Sequence, residues 1–149
     1  MSRDRDATGR PRNARPRDPL GRPMPRTATV RPPVDEPALP PSDALVHAQE
    51  LLDAGEAFAA HETLEAVWKA TAGAERALWR GMAQLCVGLT HAQRGNLTGA
   101  KALLERAAET LDEAPATWGV DPAALAAWAR RASGAPADAR PPRLVDAAR

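Results

Sequence analysis

The chain has no tyrosine, one phenylalanine, four tryptophans and one cysteine among its 149 residues. β-Sandwiches and barrels draw on aromatic and β-branched residues, so this scarcity argues against an all-β fold. A single cysteine, Cys86, excludes an intramolecular disulfide, and its neighbours Met82, Leu85 and Leu89 predict a buried, inert thiol. Long apolar runs are missing as well. The stretch from Leu78 to Leu89 is the most apolar, yet it contains Arg80 and Gln84 and is too short to span a bilayer. No 7–15-residue apolar core follows the arginine-rich N-terminus, so no secretory signal is read there and the expected location is cytoplasmic. Charge of one sign is also lacking: 20 basic against 19 acidic residues leave +1, where a dedicated nucleic-acid binder carries a basic excess.

What is present is unevenly distributed. Ten of the 15 prolines fall in residues 1–41, with nine arginines, five acids and no apolar period. Such a segment cannot bury enough surface to offset its conformational entropy, and disorder is expected. No aromatic residue interleaves its arginines, so it reads as a solvated extension rather than an arm for nucleic acid. Residues 135–149 have similar composition and are expected to form a short flexible tail. Between them, residues 42–134 hold 8 basic and 12 acidic residues, a charge of −4, and are rich in alanine, the best helix former.

This middle part reads as consecutive helices. Ser42 is a candidate cap for the first, which carries Leu45, Ala48 and Leu52 and ends near Gly55. The second is expected from about Glu56 to Thr71 and the third from about Ala74 to Arg94. Asn96 can cap a fourth, with Leu97, Ala100, Leu104, Ala107 and Leu111 on one face. Asp121 followed by Pro122 opens a fifth, with Leu125 and Trp128. Short connections favour antiparallel neighbours, and the expected fold is an all-α, compact antiparallel bundle of four to five helices, also compatible with a homo-oligomer.

The second helix carries an unusual stripe. Phe58, His61, Glu65 and Trp68 are spaced 3-4-3 and so share a face. The two aromatics should point inward, which draws His61 and Glu65 at least partly inside, where a carboxylate needs a partner. On the third helix Gly81, Gln84, Gly88 and His91 have the same spacing. Two glycines inside a helix cost about 0.5–1 kcal/mol each against alanine, and close helix approach is one reason to keep them. An antiparallel hairpin would set Trp68 near Gly81, Glu65 near Gln84, His61 near Gly88 and His91 near Phe58. The predicted cluster is His61, Glu65, Gln84 and His91, with Trp68 beside it and Glu62 and Arg80 at its flanks. Trp79 and Trp128 are expected in the core or an interface, His47 in solvent, and Gly95 and Gly99 in turn and helix packing.

Ala60-His61-Glu62-Thr63-Leu64-Glu65-Ala66-Val67-Trp68, Arg80-Gly81-Met82-Ala83-Gln84, then His91 and Arg94-Gly95-Asn96-Leu97-Thr98-Gly99-Ala100 occur in this order. In these segments the chain resembles the bacterial and archaeal domain-of-unknown-function family 309, marked by His-x-x-x-Glu-x-x-Trp, here His61, Glu65 and Trp68. The resemblance covers about residues 45–112. It implies a small all-α domain and a motif suspected of metal binding, and it brings no activity with it.

Three readings of the cluster stand open. A buried His–Glu–Gln–His network can simply register two helices. Alternatively, His61 and Glu65 one turn apart, with His91 as third ligand and an open position, suit a divalent metal such as Zn, Fe or Mn. His61-Glu62-x-x-Glu65 lacks the second histidine of the zincin signature, and the di-iron pattern is absent. The third reading is acid–base chemistry by His61 and Glu65 without a metal. The corresponding functions are an interaction or structural module, with metal or small-ligand binding as an addition, and a hydrolase-like or acid–base enzyme.

Overall fold

The computed structural model describes residues 38–145; residues 1–37 and 146–149, where most of the expected N-terminal tail and the end of the C-terminal one fall, lie outside the described residues. Five helices follow one another: α1 (Pro41–Asp53), α2 (Ala57–Ala70), α3 (Arg76–Gln93), α4 (Leu97–Asp112) and α5 (Pro122–Gly134), with a single 3₁₀ turn at Pro136–Asp138. Among the described residues there is no strand, only an isolated bridge between Thr117 and Val120. No helix among them is long and apolar enough to cross a membrane.

Each helix packs on the next. Gln93 at the end of α3 donates to the Gly55 carbonyl before α2 (3.1 Å), which makes α2 and α3 antiparallel. The turns follow from glycine. Gly55 and Gly95 both have φ +80°, the left-handed conformation that L side chains avoid. The next N–H then reaches back to close the helix end: Glu56 to the Leu51 carbonyl and Asn96 to the His91 carbonyl, at 2.8 and 2.9 Å.

The caps divide into two kinds. Asn96 accepts from Gly99 N–H, and Asp121 accepts from the N–H groups of Ala123 and Ala124, as their residue types predict. Ser42, by contrast, is not a cap. α1 starts two residues earlier than a Ser42 cap would place it, at Pro41 after Pro40, which makes no side-chain cap bond. Pro41 stands at the first helical position instead, where its missing N–H costs nothing and its fixed φ suits the helix.

The core is built mostly from alanine and leucine. Leu45, Leu52, Leu64, Leu78, Met82, Leu85, Leu104 and Leu111 are all at most 3% exposed. Trp79 is the largest fully buried side chain, and Trp128 packs against the core from a half-buried position. Of the predicted α4 face, Ala100, Leu104, Ala107 and Leu111 are buried. Leu97 is 43% exposed: it lies in the first turn, at the end of the helix, where the neighbouring turn leaves it uncovered.

Two expectations about packing need correction. Gly81 and Gly88 do not make room for α2. A Cβ on Gly81 would stand 2.7 Å from Cγ and Cδ2 of Leu111, and one on Gly88 2.8 Å from Cγ of Leu104. The glycines therefore admit α4, whose leucines press against bare α3 backbone. The pairs 81–111 and 88–104 also show that α3 and α4 are antiparallel. The second correction concerns the C-terminal stretch, which does not leave the bundle at residue 134. Gln49 donates to the Pro142 carbonyl (3.1 Å) and accepts from Leu144 N–H (2.8 Å), while Leu144 is 1% exposed. One leucine with a niche, plus a side-chain amide that satisfies the backbone on either side of it, is enough to dock a segment whose composition alone reads as flexible.

Candidate functional site on the α2–α3 face

α2 carries His61, Glu65 and Lys69 at successive i, i+4 positions, and the three side chains form a chain of contacts. His61 Nε2 lies 2.6 Å from Glu65 Oε2, and Lys69 Nζ lies 2.7 Å from Glu65 Oε1. Burial pushes the His61 imidazole below its ordinary value of 6.5, outweighing the attraction of Glu65, so the ring is neutral at pH 7. Its Nε2–H then donates to the carboxylate, and Nδ1 is left as an acceptor. For Glu65 burial works upward, but the hydrogen bond from Lys69 and the neighbouring His61 more than offset it, and the carboxyl is held below 4.5. Phe58 is half-buried rather than fully inside, and its ring meets His61 with centroids 5.4 Å apart.

Trp68, one turn after Glu65, is half-buried at the edge of the core. Two arginines of α3 lie over its ring, with the Arg76 and Arg80 Cζ atoms 5.3 and 5.9 Å from the centroid. Arg76, Arg80 and Gln84 are spaced by four, so they form one stripe along α3. Arg76 and Lys69 are absent from the cluster as predicted from sequence. Their signal was there, one turn from Arg80 and from Glu65 respectively.

Three side chains of this face each hold a buried polar atom without a hydrogen-bond partner: His61 Nδ1, Trp68 Nε1 and Gln84 Oε1. Glu65 meets His61 and Lys69 with its two oxygens, and no bond joins it to Gln84. Glu62 is exposed and has an interaction of its own.

His91 does not join the group. At the last turn of α3 its Nδ1 is 3.1 Å from Asn96 Nδ2, which can donate to it, and burial followed by the charge of Arg94 keeps its imidazole below 6.5. His91 thus steadies the residue that caps α4. Gly99 completes this arrangement, since a Cβ there would stand 2.5 Å from Asn96 Nδ2. The Gly-Asn-x-x-Gly segment is therefore a turn and cap, and Gly99 makes room for the capping side chain, not for a neighbouring helix.

The set His61, Glu65 and His91 does not fit a metal. Among the described residues no three of His, Cys, Asp and Glu gather in a way that could hold an ion. His91 is engaged with Asn96 at the α4 cap, and Glu65 pairs with His61 and Lys69. Nor does either of two surface hollows among the described residues touch the cluster. One, about 100 Å³, is lined by Leu52, Leu89 and Pro136 among others; the other, about 540 Å³, lies between α1 and Trp118, Arg143 and Val145. Cys86 is fully buried and its thiol is pushed up to about 12, so it is inert as a nucleophile. His47 is exposed, as expected.

The neutral imidazoles set a pH dependence. In the unfolded chain histidine takes a proton near 6.5, whereas folded His61 and His91 do so only at lower pH. The unfolded state therefore binds more protons in this window, and stability is lost as pH falls below about 6.5, with a further loss from Glu65 below about 4.5. Urea midpoints measured from pH 7.5 to 5 should descend, and His61→Gln should flatten the descent, leaving the part due to His91. A level profile in the unsubstituted protein would contradict the neutral, buried state of His61.

Residues 45–103 match the family model described as Domain of unknown function (DUF309), so the chain resembles that family over the span holding α2, α3 and the Asn96 cap. No curated protein and no solved structure matches the chain.

Proposed function

We propose that the protein is a binding module whose α2–α3 face is the recognition surface, and not a metal-dependent or acid–base enzyme. The observation that carries this reading is the set of three unpartnered polar atoms on one face, on His61, Trp68 and Gln84. A buried polar group left unpaired costs about 1–3 kcal/mol. These atoms are shielded from solvent in the free protein, so on this reading a ligand reaches them by displacing the side chains that cover them, and the unpaired groups are held for that event. Tryptophan and arginine, the two types that adjoin here, are also the types that dominate binding hot spots. A carboxyl doing acid–base work near neutral pH is tuned upward, whereas Lys69 and His61 hold Glu65 below 4.5.

The test is to remove one unpaired atom while keeping its volume. Gln84→Met should raise the melting temperature by about 4–8 °C, the equivalent of roughly 1 kcal/mol in a domain of this size. A lowered melting temperature would mean that the amide oxygen is satisfied within the fold and that the face is a structural network. Elemental analysis of untagged protein incubated with Zn²⁺, Fe²⁺ or Mn²⁺ should find no stoichiometric metal. One bound ion per chain, with a raised melting temperature, would restore the metal-enzyme reading.

A further inference from the structure

Arg76 and Arg80 stand exposed one turn apart on α3, both against the Trp68 ring. Among the described residues neither has a carboxylate within ion-pair distance, although the face is not short of acids. Glu65 is taken by His61 and Lys69, and Glu75 accepts from the Trp118 indole N–H at 3.3 Å. The acids nearest in sequence are thus held by other donors, and two guanidinium groups are left without a counter-charge.

A guanidinium laid on an aromatic ring keeps its N–H donors in the plane of the fork, where they can meet a carboxylate two at a time. Contact with Trp68 also holds the long side chains partly in place, which lowers the entropy lost when a ligand binds. Building on the binding-module reading, we propose that this site takes a short acidic segment of a partner protein, with a pair of carboxylates about 5–7 Å apart that match arginines one turn apart. The residues around it argue against a nucleic acid. Lys69 is spent on Glu65 and His61 is neutral, so the positive patch is two residues wide and does not extend into a stripe that a phosphate backbone could follow.

The test titrates a hexaglutamate peptide into the ¹⁵N-labelled full chain at low salt and follows the Trp68 indole N–H and the Arg76 and Arg80 side-chain N–H resonances. These should shift together and saturably. In Arg76→Gln/Arg80→Gln, whose melting temperature should fall by only a few degrees because both side chains are exposed and only their contacts with Trp68 are lost, the affinity should fall at least tenfold. Absence of any shift, or equal affinity in the double variant, would overturn the proposal. So would inorganic phosphate saturating the same resonances at lower concentration than the peptide, or a single-stranded oligonucleotide binding there more tightly. Failure here with the Gln84→Met result intact removes the acidic ligand and leaves the binding module. A lowered melting temperature in Gln84→Met removes the module itself.

Discussion

Replacing Trp79 by alanine should cost the domain about 3–5 kcal/mol, a large part of the roughly 5–15 kcal/mol that holds a native protein together. Trp79 is completely buried within the main cluster, which includes Leu64, Val67, Leu78 and Met82. Its removal opens a cavity in a core made mostly of alanine and leucine, larger than the neighbouring side chains can fill without shifting. The melting temperature should drop by more than about 12 °C at 4–8 °C per kcal/mol. Trp79→Phe is the informative partner. It keeps most of the ring and discards Nε1, which has no hydrogen-bond partner. The relief of that unpaired N–H offsets part of the lost volume, so phenylalanine should cost well under half of what alanine does. Urea denaturation of the two variants checks this. Equal losses would show that the indole N–H is satisfied, and a loss under about 1 kcal/mol for alanine would show that the core closes over the gap.

The second large effect is expected at Gly88. A Cβ there would already stand 2.8 Å from Leu104 Cγ, with the Leu104 backbone nitrogen at 3.4 Å. Alanine brings this clash but gains about 1 kcal/mol of helix propensity, so Gly88→Ala should be only mildly destabilising. Gly88→Val adds two more carbons against α4 and loses χ1 freedom, and it should cost about 3 kcal/mol, at the upper end of overpacking losses. Gly134, which has nothing within 4 Å of its Cβ position, serves as the control and should accept alanine without loss. Should Gly88→Val melt like the parent, the close contact of α3 with α4 would be wrong. That would also reopen the alternative in which these glycines serve α2.

The glycines show where sequence and structure part. Gly81 and Gly88 announce a close helix approach, because bare backbone inside a helix is otherwise a cost. Which helix comes close is a different matter. The spacing of Gly81, Gln84, Gly88 and His91 matches that of Phe58, His61, Glu65 and Trp68, and the match suggests α2. In the fold, the leucines of α4 fill the glycine groove, and α3 meets Trp68 of α2 through Arg76 and Arg80. Periodicity assigns residues to a face of their own helix. It does not choose the partner of that face, because two neighbours compete for α3 and volume complementarity decides between them.

The candidate site divides in the same way. His61 and Glu65 were legible as a pair because one helical turn brings them together whatever the rest of the chain does. The same local rule reaches Lys69. His91 depended on a long-range placement and is found instead at the cap of α4, where Asn96 lies only five residues away. Arg76 also depended on tertiary packing, since its contact with Trp68 exists only once α2 and α3 are antiparallel.

From the sequence alone one obtains the helices, their glycine turns, two of the caps and the inward tilt of the His61–Glu65 stripe. These rest on interactions within a few residues, and local geometry is the same in any fold that contains them. Only the tertiary structure decided that α4 takes the glycine groove, that Leu144 docks beside Gln49, and that two arginines share one tryptophan. Each of these depends on which surfaces compete for the same buried space, and that competition is settled by the volumes and charges of residues far apart in the chain.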